Sequence, residues 1–225
     1  MMKHFRGLYL IIYSTLAMAL LCSACSTDDD DDDYVYPSVL TELVDIHVAT
    51  DGYIDYITTD EGTTYVAENR INADKLNTDA VYRALCMYEK ATSTKHTKGA
   101  RLYSIKLTLS GKPTPKAQVK GEIKTDPLDV QSVWRGGSYL NMTLLPMVQS
   151  ISHTYAIVEE RLVEEGAGKK LYLLLHHNQN GDYEAYEQKT YMSIELSDYA
   201  LHSGDSVFIS INTYKEGLKT WGVAY

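Results

Sequence analysis

Lys189-Thr190-Tyr191-Met192-Ser193-Ile194-Glu195-Leu196 is the stretch on which the fold turns. Thr190, Met192, Ile194 and Leu196 alternate with Lys189, Tyr191, Ser193 and Glu195. A period of two puts each set on its own face of a half-buried strand. The pattern recurs downstream, where Val207, Ile209 and Ile211 alternate with Phe208, Ser210 and Asn212. It recurs upstream in Val44, Ile46 and Val48, and again in Tyr103, Ile105, Leu107 and Leu109. Turn residues separate these runs: Gly136-Gly137, Gly166 to Gly168, Asn180-Gly181 and Ser203-Gly204-Asp205. Asp51-Gly52 and Asp60-Glu61-Gly62 do the same near the start, so Gly52 to Thr58 and Thr63 to Glu68 read as two more strands. Regularly spaced short strands without intervening helices predict an all-β protein whose second half is a sandwich.

One segment resists this reading. From Thr78 to Ala91, the residues Val81, Ala84, Leu85 and Tyr88 have helical spacing, while Tyr82, Ala84, Cys86 and Tyr88 would line a strand. On the residues alone the helix is the preferred expectation. Further on, Gly111, Pro113, Pro115 and Pro127 crowd together. Proline cannot donate to a central ladder, so the stretch reads as an extended connection, and the domain boundary is placed in it. The expected organisation is a leader over 1–24, a spacer over 25–35, a first β domain over 36–112, a linker over 113–127 and a β-sandwich over 128–225.

The leader begins with a basic segment, Met1 to Gly7, followed by 14 predominantly apolar residues from Leu8 to Leu21. A membrane-spanning helix needs about 20, so the run reads as a signal-peptide core. It ends in Cys22-Ser23-Ala24-Cys25, which resembles a bacterial lipobox with Ser23 and Ala24 ahead of the modified cysteine. Lipidation is therefore expected at Cys25. Each buried acyl CH₂ contributes about 0.8 kcal/mol, so two or three chains hold such a protein permanently. Contact with the membrane would run through this anchor only. Ser26-Thr27 and the six aspartates Asp28 to Asp33 follow, a self-repelling run with nothing apolar to collapse upon. The run resembles the surface-export signal of Bacteroides-type lipoproteins, which implies the outer face of the outer membrane.

Composition narrows the partners. The net charge is −9, and residues 1–24 contribute two cations and no acid, leaving −11 for the mature chain. Without Asp28 to Asp33 the body stands at −5. Nucleic-acid affinity comes largely from Lys and Arg displacing condensed counterions, so nucleic acid is not an expected partner. Tyr contributes 19 residues against two Phe and two Trp, a strand-favouring composition that also suits a binding surface. Of three cysteines, Cys22 and Cys25 belong to the leader junction, so Cys86 has no disulfide partner in the mature chain and reads as a small buried residue.

The order of features is similar to the NigD-like lipoproteins. The residues that carry the resemblance are Thr78-Asp79-Ala80-Val81-Tyr82-Arg83-Ala84, Val133-Trp134-Arg135-Gly136-Gly137-Ser138-Tyr139-Leu140-Asn141 and Leu174-Leu175-His176-His177-Asn178 through Gly181-Asp182. Met192-Ser193-Ile194-Glu195-Leu196 and Trp221-Gly222-Val223-Ala224-Tyr225 complete it. The resemblance spans about residues 36–225. It implies an OB-like N-terminal barrel before the C-terminal β-sandwich, and a strand rather than a helix over 78–91. It brings no catalytic residue.

Candidate chemistry is sparse. His176 and His177 are adjacent on an expected strand, where they point to opposite faces and cannot share a metal without a bulge. Asn178, Asn180, Asp182 and Glu184 offer oxygens around Gly181, but Asn-Gly is foremost a hairpin signal. No Gly-x-Ser-x-Gly, His-Glu-x-x-His or Ser-x-x-Lys pattern occurs, and nothing calls for a cofactor or a metal. The expected function is that of a non-catalytic surface lipoprotein that binds a protein or glycan partner, with Trp134 and Trp221 among the candidate contact residues. The alternative is a small secreted hydrolase using a carboxylate pair that leaves no local signature.

Overall fold

The structure is a computed structural model that describes residues 38–91, 98–166 and 168–225. Cys25 and the aspartate run lie outside the described residues. The remainder, from Ser38 to Tyr225, forms one compact unit built from strands.

The first five strands are β1 (Val39–Val48), β2 (Tyr53–Thr59), β3 (Thr64–Asn72), β4 (Ala80–Ala91) and β5 (Gly99–Leu107). They close in the order β1-β2-β3-β5-β4, the OB-like barrel that the resemblance implied. Val44, Ile46, Val48, Ile54 and Ile57 fill its interior with Ala84, Cys86 and Tyr88. Burying a side chain such as Ile or Leu contributes about 1.5–3 kcal/mol, so this alternation is what closes the sheet on itself. Closure between β3 and β5 is brief, Val66↔Gly99 and Ala67↔Ala100. Asn69 extends it: its Nδ2 donates to the Leu102 carbonyl at 2.9 Å, and its Oδ1 accepts the Leu102 N–H at 2.8 Å.

The helix expected over Thr78 to Ala91 is overturned. β4 is paired along both edges, with β1 from Val39↔Glu89 to Val48↔Ala80 and with β5 from Ala84↔Leu107 to Ala91↔Gly99. Ala84, Cys86 and Tyr88 point into the barrel, while Val81, a core position in the helical reading, is 57% exposed.

The second part begins with β6 (Leu109–Gly111) and β7 (Thr114–Pro115), then β8 (Asp129–Gly136), β9 (Tyr139–Leu145) and β10 (Met147–Val148). It continues with β11 (Thr154–Glu165), β12 (Gly168–Asn178), β13 (Tyr186–Glu187), β14 (Thr190–Glu195), β15 (Ser206–Thr213) and β16 (Gly217–Ala224). Two sheets, β16-β15-β12-β11-β7 and β6-β14-β9-β8, face each other across a core that includes Leu140, Met142, Leu144, Leu171, Leu173 and Ile194. This is the sandwich that the alternation in 189–196 and 207–212 predicted. Residues 113–127 run along it: β7 pairs in parallel with β11, and the Lys124 carbonyl accepts the His177 N–H.

Candidate binding groove

A groove of about 580 Å³ opens where the end of the barrel meets the sandwich. Three stretches distant in the chain line it: Lys106 to Leu109, Val148 to His153 with Tyr155, and Tyr186 with Gln188 to Tyr191. The first is the passage from β5 into β6, the second the connection from β10 into β11, the third the short run from β13 into β14. The volume falls within the range of about 300–1,000 Å³ typical of ligand sites. Tyr186 is 55% exposed, and Tyr155 and Tyr191 are half-buried along the lining.

The middle wall is held from beneath by a polar array. Asp182 accepts the backbone N–H of Gln149 at 2.6 Å, of Ser150 at 3.0 Å and of Ile151 at 3.0 Å. Burial raises the Asp182 carboxyl, but these donors and the Tyr183 N–H outweigh it, and the group is held well below the ordinary carboxylate range. Beside it, His153 Nε2 lies 3.5 Å from Asp182 Oδ2 without a hydrogen-bond partner among the described residues. His177 Nδ1 stands 2.8 Å from the Asp126 carbonyl, which only accepts, so that nitrogen carries the hydrogen and donates. Burial keeps the His177 imidazole below its ordinary pKa, so the neutral ring accepts through Nε2 from His153 Nδ1 at 2.9 Å. Tyr155 stacks on His177 with ring centroids 4.9 Å apart, which links the array to the groove wall.

The residues singled out in the sequence are distributed differently from their reading. His176 and His177 do face opposite ways: His176 Nδ1 accepts the Lys124 N–H at 3.0 Å, and His177 is buried. The Asn180-Gly181 turn does not close a hairpin, because β12 pairs with β11 and β15 while the next strand, β13, pairs with β10. The turn instead carries Asp182 under the Gln149 to Ile151 amides, and Asn180 Nδ2 donates to the Ser152 carbonyl at 2.7 Å. Trp221 packs against the sandwich core. Trp134 is half-buried and lines a smaller recess of about 370 Å³ with Glu42, Asp60 and Tyr191. Cys86 is fully buried in the barrel, and burial, with the nearby Glu42 charge, pushes its thiol up to about 12. Among the described residues no group of three His, Cys, Asp or Glu is placed to hold a metal ion.

Sequence reasoning missed one constellation entirely. Arg83 of β4 is buried at the seam between barrel and sandwich, where its Nη2 sits 2.6 Å from Asp60 Oδ1 and its Nη1 3.3 Å from Asp45 Oδ1. It donates through Nε to Ser193 Oγ at 3.2 Å, and its guanidinium stacks 4.1 Å from the Tyr139 ring centre. Ser193 Oγ donates to Asn141 Oδ1 at 2.7 Å, and Asn141 Nδ2 donates back to Asp60 Oδ2 at 3.2 Å. Gly136 and Gly137 lie against Asp60 with no room for a side chain. Every member of this knot except the two aspartates falls inside a motif that carried the family resemblance.

An OB-like barrel joined by a buried ionic seam to a two-sheet sandwich defines an all-β, two-part body with a groove at the junction. The chain belongs to the NigD-like family: the profile of the NigD-like C-terminal beta sandwich domain matches residues 112–225. Among solved structures it is similar to a NigD-like immunity protein from Bacteroides caccae, 28% identical with a TM-score of 0.64 over 84% of this chain and 93% of that one. It is similar in fold to a protein of unknown function from Bacteroides vulgatus, 16% identical with a TM-score of 0.64 over 84% and 91%. A candidate lipoprotein from Bacteroides fragilis, 15% identical with a TM-score of 0.61 over 84% and 98%, shares the fold as well. A comparison with curated proteins found no match.

Proposed function

We propose that this protein is a non-catalytic lipoprotein of the outer membrane, anchored at Cys25, that presents its β body at the cell surface and binds a partner in the junction groove. The observation that carries the reading is the contrast between committed and free polar groups. Groups apt for chemistry are spent on the fold: Asp182 on three backbone amides, Glu42 on the Tyr88 hydroxyl at 2.5 Å, Asp60 on Arg83. The groove meanwhile exposes aromatic and cationic side chains. A hydrolase would need two uncommitted carboxylates facing one cleft; none of the groove-lining residues is Asp or Glu, and in the smaller recess, lined by Glu42, Asp60 and Glu61, the first two are taken by Tyr88 and Arg83. The address rests on the 14-residue apolar core, the Ser23-Ala24-Cys25 junction and the aspartate run, and the lipoprotein description of the Bacteroides fragilis neighbour agrees with it.

The test is a photo-crosslinking residue placed at Tyr186 in the intact cell, with a second at Tyr183, which is 77% exposed and does not line the groove. Membrane-bound adducts at 186 and not at 183 are expected. Cys25→Ser should release the protein from the membrane fraction. Equal labelling at both positions, or full membrane retention of the Cys25→Ser protein, would overturn the reading.

A further inference from the structure

We infer that the junction groove takes an oligosaccharide bearing uronic acid, an assignment that rests on the binding reading above and narrows it to a ligand class. Charge is the first ground. The chain carries 30 acids against 21 Lys and Arg, yet the groove lining includes Lys106, Lys189 and no carboxylate. Neither lysine forms an ion pair among the described residues, and both are exposed. On an acidic body this groove is where a carboxylate meets attraction at close range, which is how charge selects one partner over others.

The hydroxyls are the second ground. Elsewhere tyrosines hand theirs to carboxylates: Tyr88 to Glu42 at 2.5 Å, Tyr103 to Glu89 at 2.7 Å and Tyr199 to Glu159 at 2.8 Å. The hydroxyls of Tyr155, Tyr186 and Tyr191 have no protein partner among the described residues, and all three residues line the groove. An uncommitted phenol offers a flat apolar face and a polar tip together. A pyranose ring offers the complement, a C–H face to lie on the aromatic ring and hydroxyls at its edge. The neutral side chains of Gln149, Gln188 and Ser152 border the same space and can exchange hydrogen bonds with those hydroxyls. A uronate carries its carboxylate on the very ring that stacks, which suits a groove whose lysines and tyrosines share one cavity of about 580 Å³.

Size is the third ground. The cavity accommodates a few ring-sized units and is too small for the face of a folded domain, which takes about 800 Å² of surface per partner. Asp182 holds the 149–151 wall in place before any ligand arrives, so little ordering is required on binding.

The experiment is calorimetric titration of the full-length protein in detergent with trigalacturonate, with neutral galactotriose and with hexaglutamate as comparison probes. Saturable binding of trigalacturonate is expected, weakened about tenfold or more in Tyr186→Ala and in the Lys106→Gln/Lys189→Gln double variant, and unchanged in Tyr183→Ala. Galactotriose binding as tight as trigalacturonate would remove the uronate assignment. Hexaglutamate binding as tight would show that the groove reads charge and not sugar, which also overturns it. Tyr186 adducts in cells without trigalacturonate binding would overturn the sugar assignment and leave the binding reading standing, whereas silence in both assays removes both.

Discussion

Arg83 of the barrel donates to Ser193 of the sandwich across 3.2 Å, and the two residues are 110 positions apart in the chain. Around that bond the Arg83 guanidinium meets Asp60, Asp45 and Asn141, so one side chain on β4 ties β1 and the turn after β2 to the two middle strands, β14 and β9, of one sandwich sheet. A buried charge pair of this kind contributes little over a well-packed apolar substitute, because both ions are desolvated. Its distinctive property is that neither half tolerates the loss of the other.

Arg83→Leu is therefore expected to destabilise the whole body by about 3–5 kcal/mol, the cost of stranding buried partners without their counter-charge. Chemical denaturation read by intrinsic fluorescence measures it. If the knot couples the two parts, the double change Arg83→Leu with Asp60→Asn should cost less than the sum of the single changes. Strict additivity would show that Arg83 and Asp60 act independently.

Gly136→Ala is expected to open the same seam by a different route. A β-carbon there meets the Asp60 carboxylate and the Asn141 amide, neither of which is a loose end, since both belong to the knot. Overpacking of this kind costs about 1–3 kcal/mol. Ser138→Ala, exposed and a short step along the same turn, should leave the melting temperature unchanged and serves as the comparison.

Cys86→Ser should lower stability, and the wild-type thiol should be silent to thiol reagents in the folded protein. The side chain is fully buried, and its thiol is pushed up to about 12, so almost no thiolate is present near neutral pH. Labelling should appear only as denaturant unfolds the barrel, with the same midpoint as fluorescence. Reaction under native conditions would mean that the barrel opens locally around β4.

The strands with clean alternation were legible because one of their faces is apolar core and the other carries mostly polar side chains. Met192 and Ile194 are buried against the opposite sheet, and Val207, Ile209 and Ile211 repeat the pattern. β4 was not legible for a physical reason: Val81, Leu85 and Met87 are apolar on its outer face although Val81 and Met87 stay exposed, and with Arg83 buried at the seam the apolar residues of both faces together satisfy a helical template as well as a strand. The Asn180-Gly181 turn was read as a hairpin because the turn chemistry is local, while the choice of pairing partner is not. The groove left almost no trace, since its walls come from three distant stretches. The excess of tyrosine over phenylalanine was its one signal, and composition does not say where the hydroxyls end up.

Asp182 holds the groove wall through the amides of Gln149, Ser150 and Ile151. Its carboxyl ordinarily titrates near 3.8 and is held lower in the fold by the amides of Gln149, Ser150, Ile151 and Tyr183 acting against the cost of burial. A carboxyl lowered on folding supplies stability that is fully present above its unfolded value and is lost as pH falls through the folded one. The 149–151 amides should accordingly keep their hydrogen-exchange protection from neutral pH down through the ordinary carboxylate range, and lose it only at more acid pH. His177 acts in the same sense but at higher pH: burial holds it below its ordinary value of 6.5, so the unfolded chain takes a proton first and stability declines as pH drops below that point. The two effects separate by variant. Asp182→Asn should lower protection at Gln149, Ser150 and Ile151 at neutral pH already, whereas His177→Asn should flatten the decline in stability that sets in below pH 6.5. Unchanged protection of the three amides in Asp182→Asn would show that the wall stands without its carboxylate.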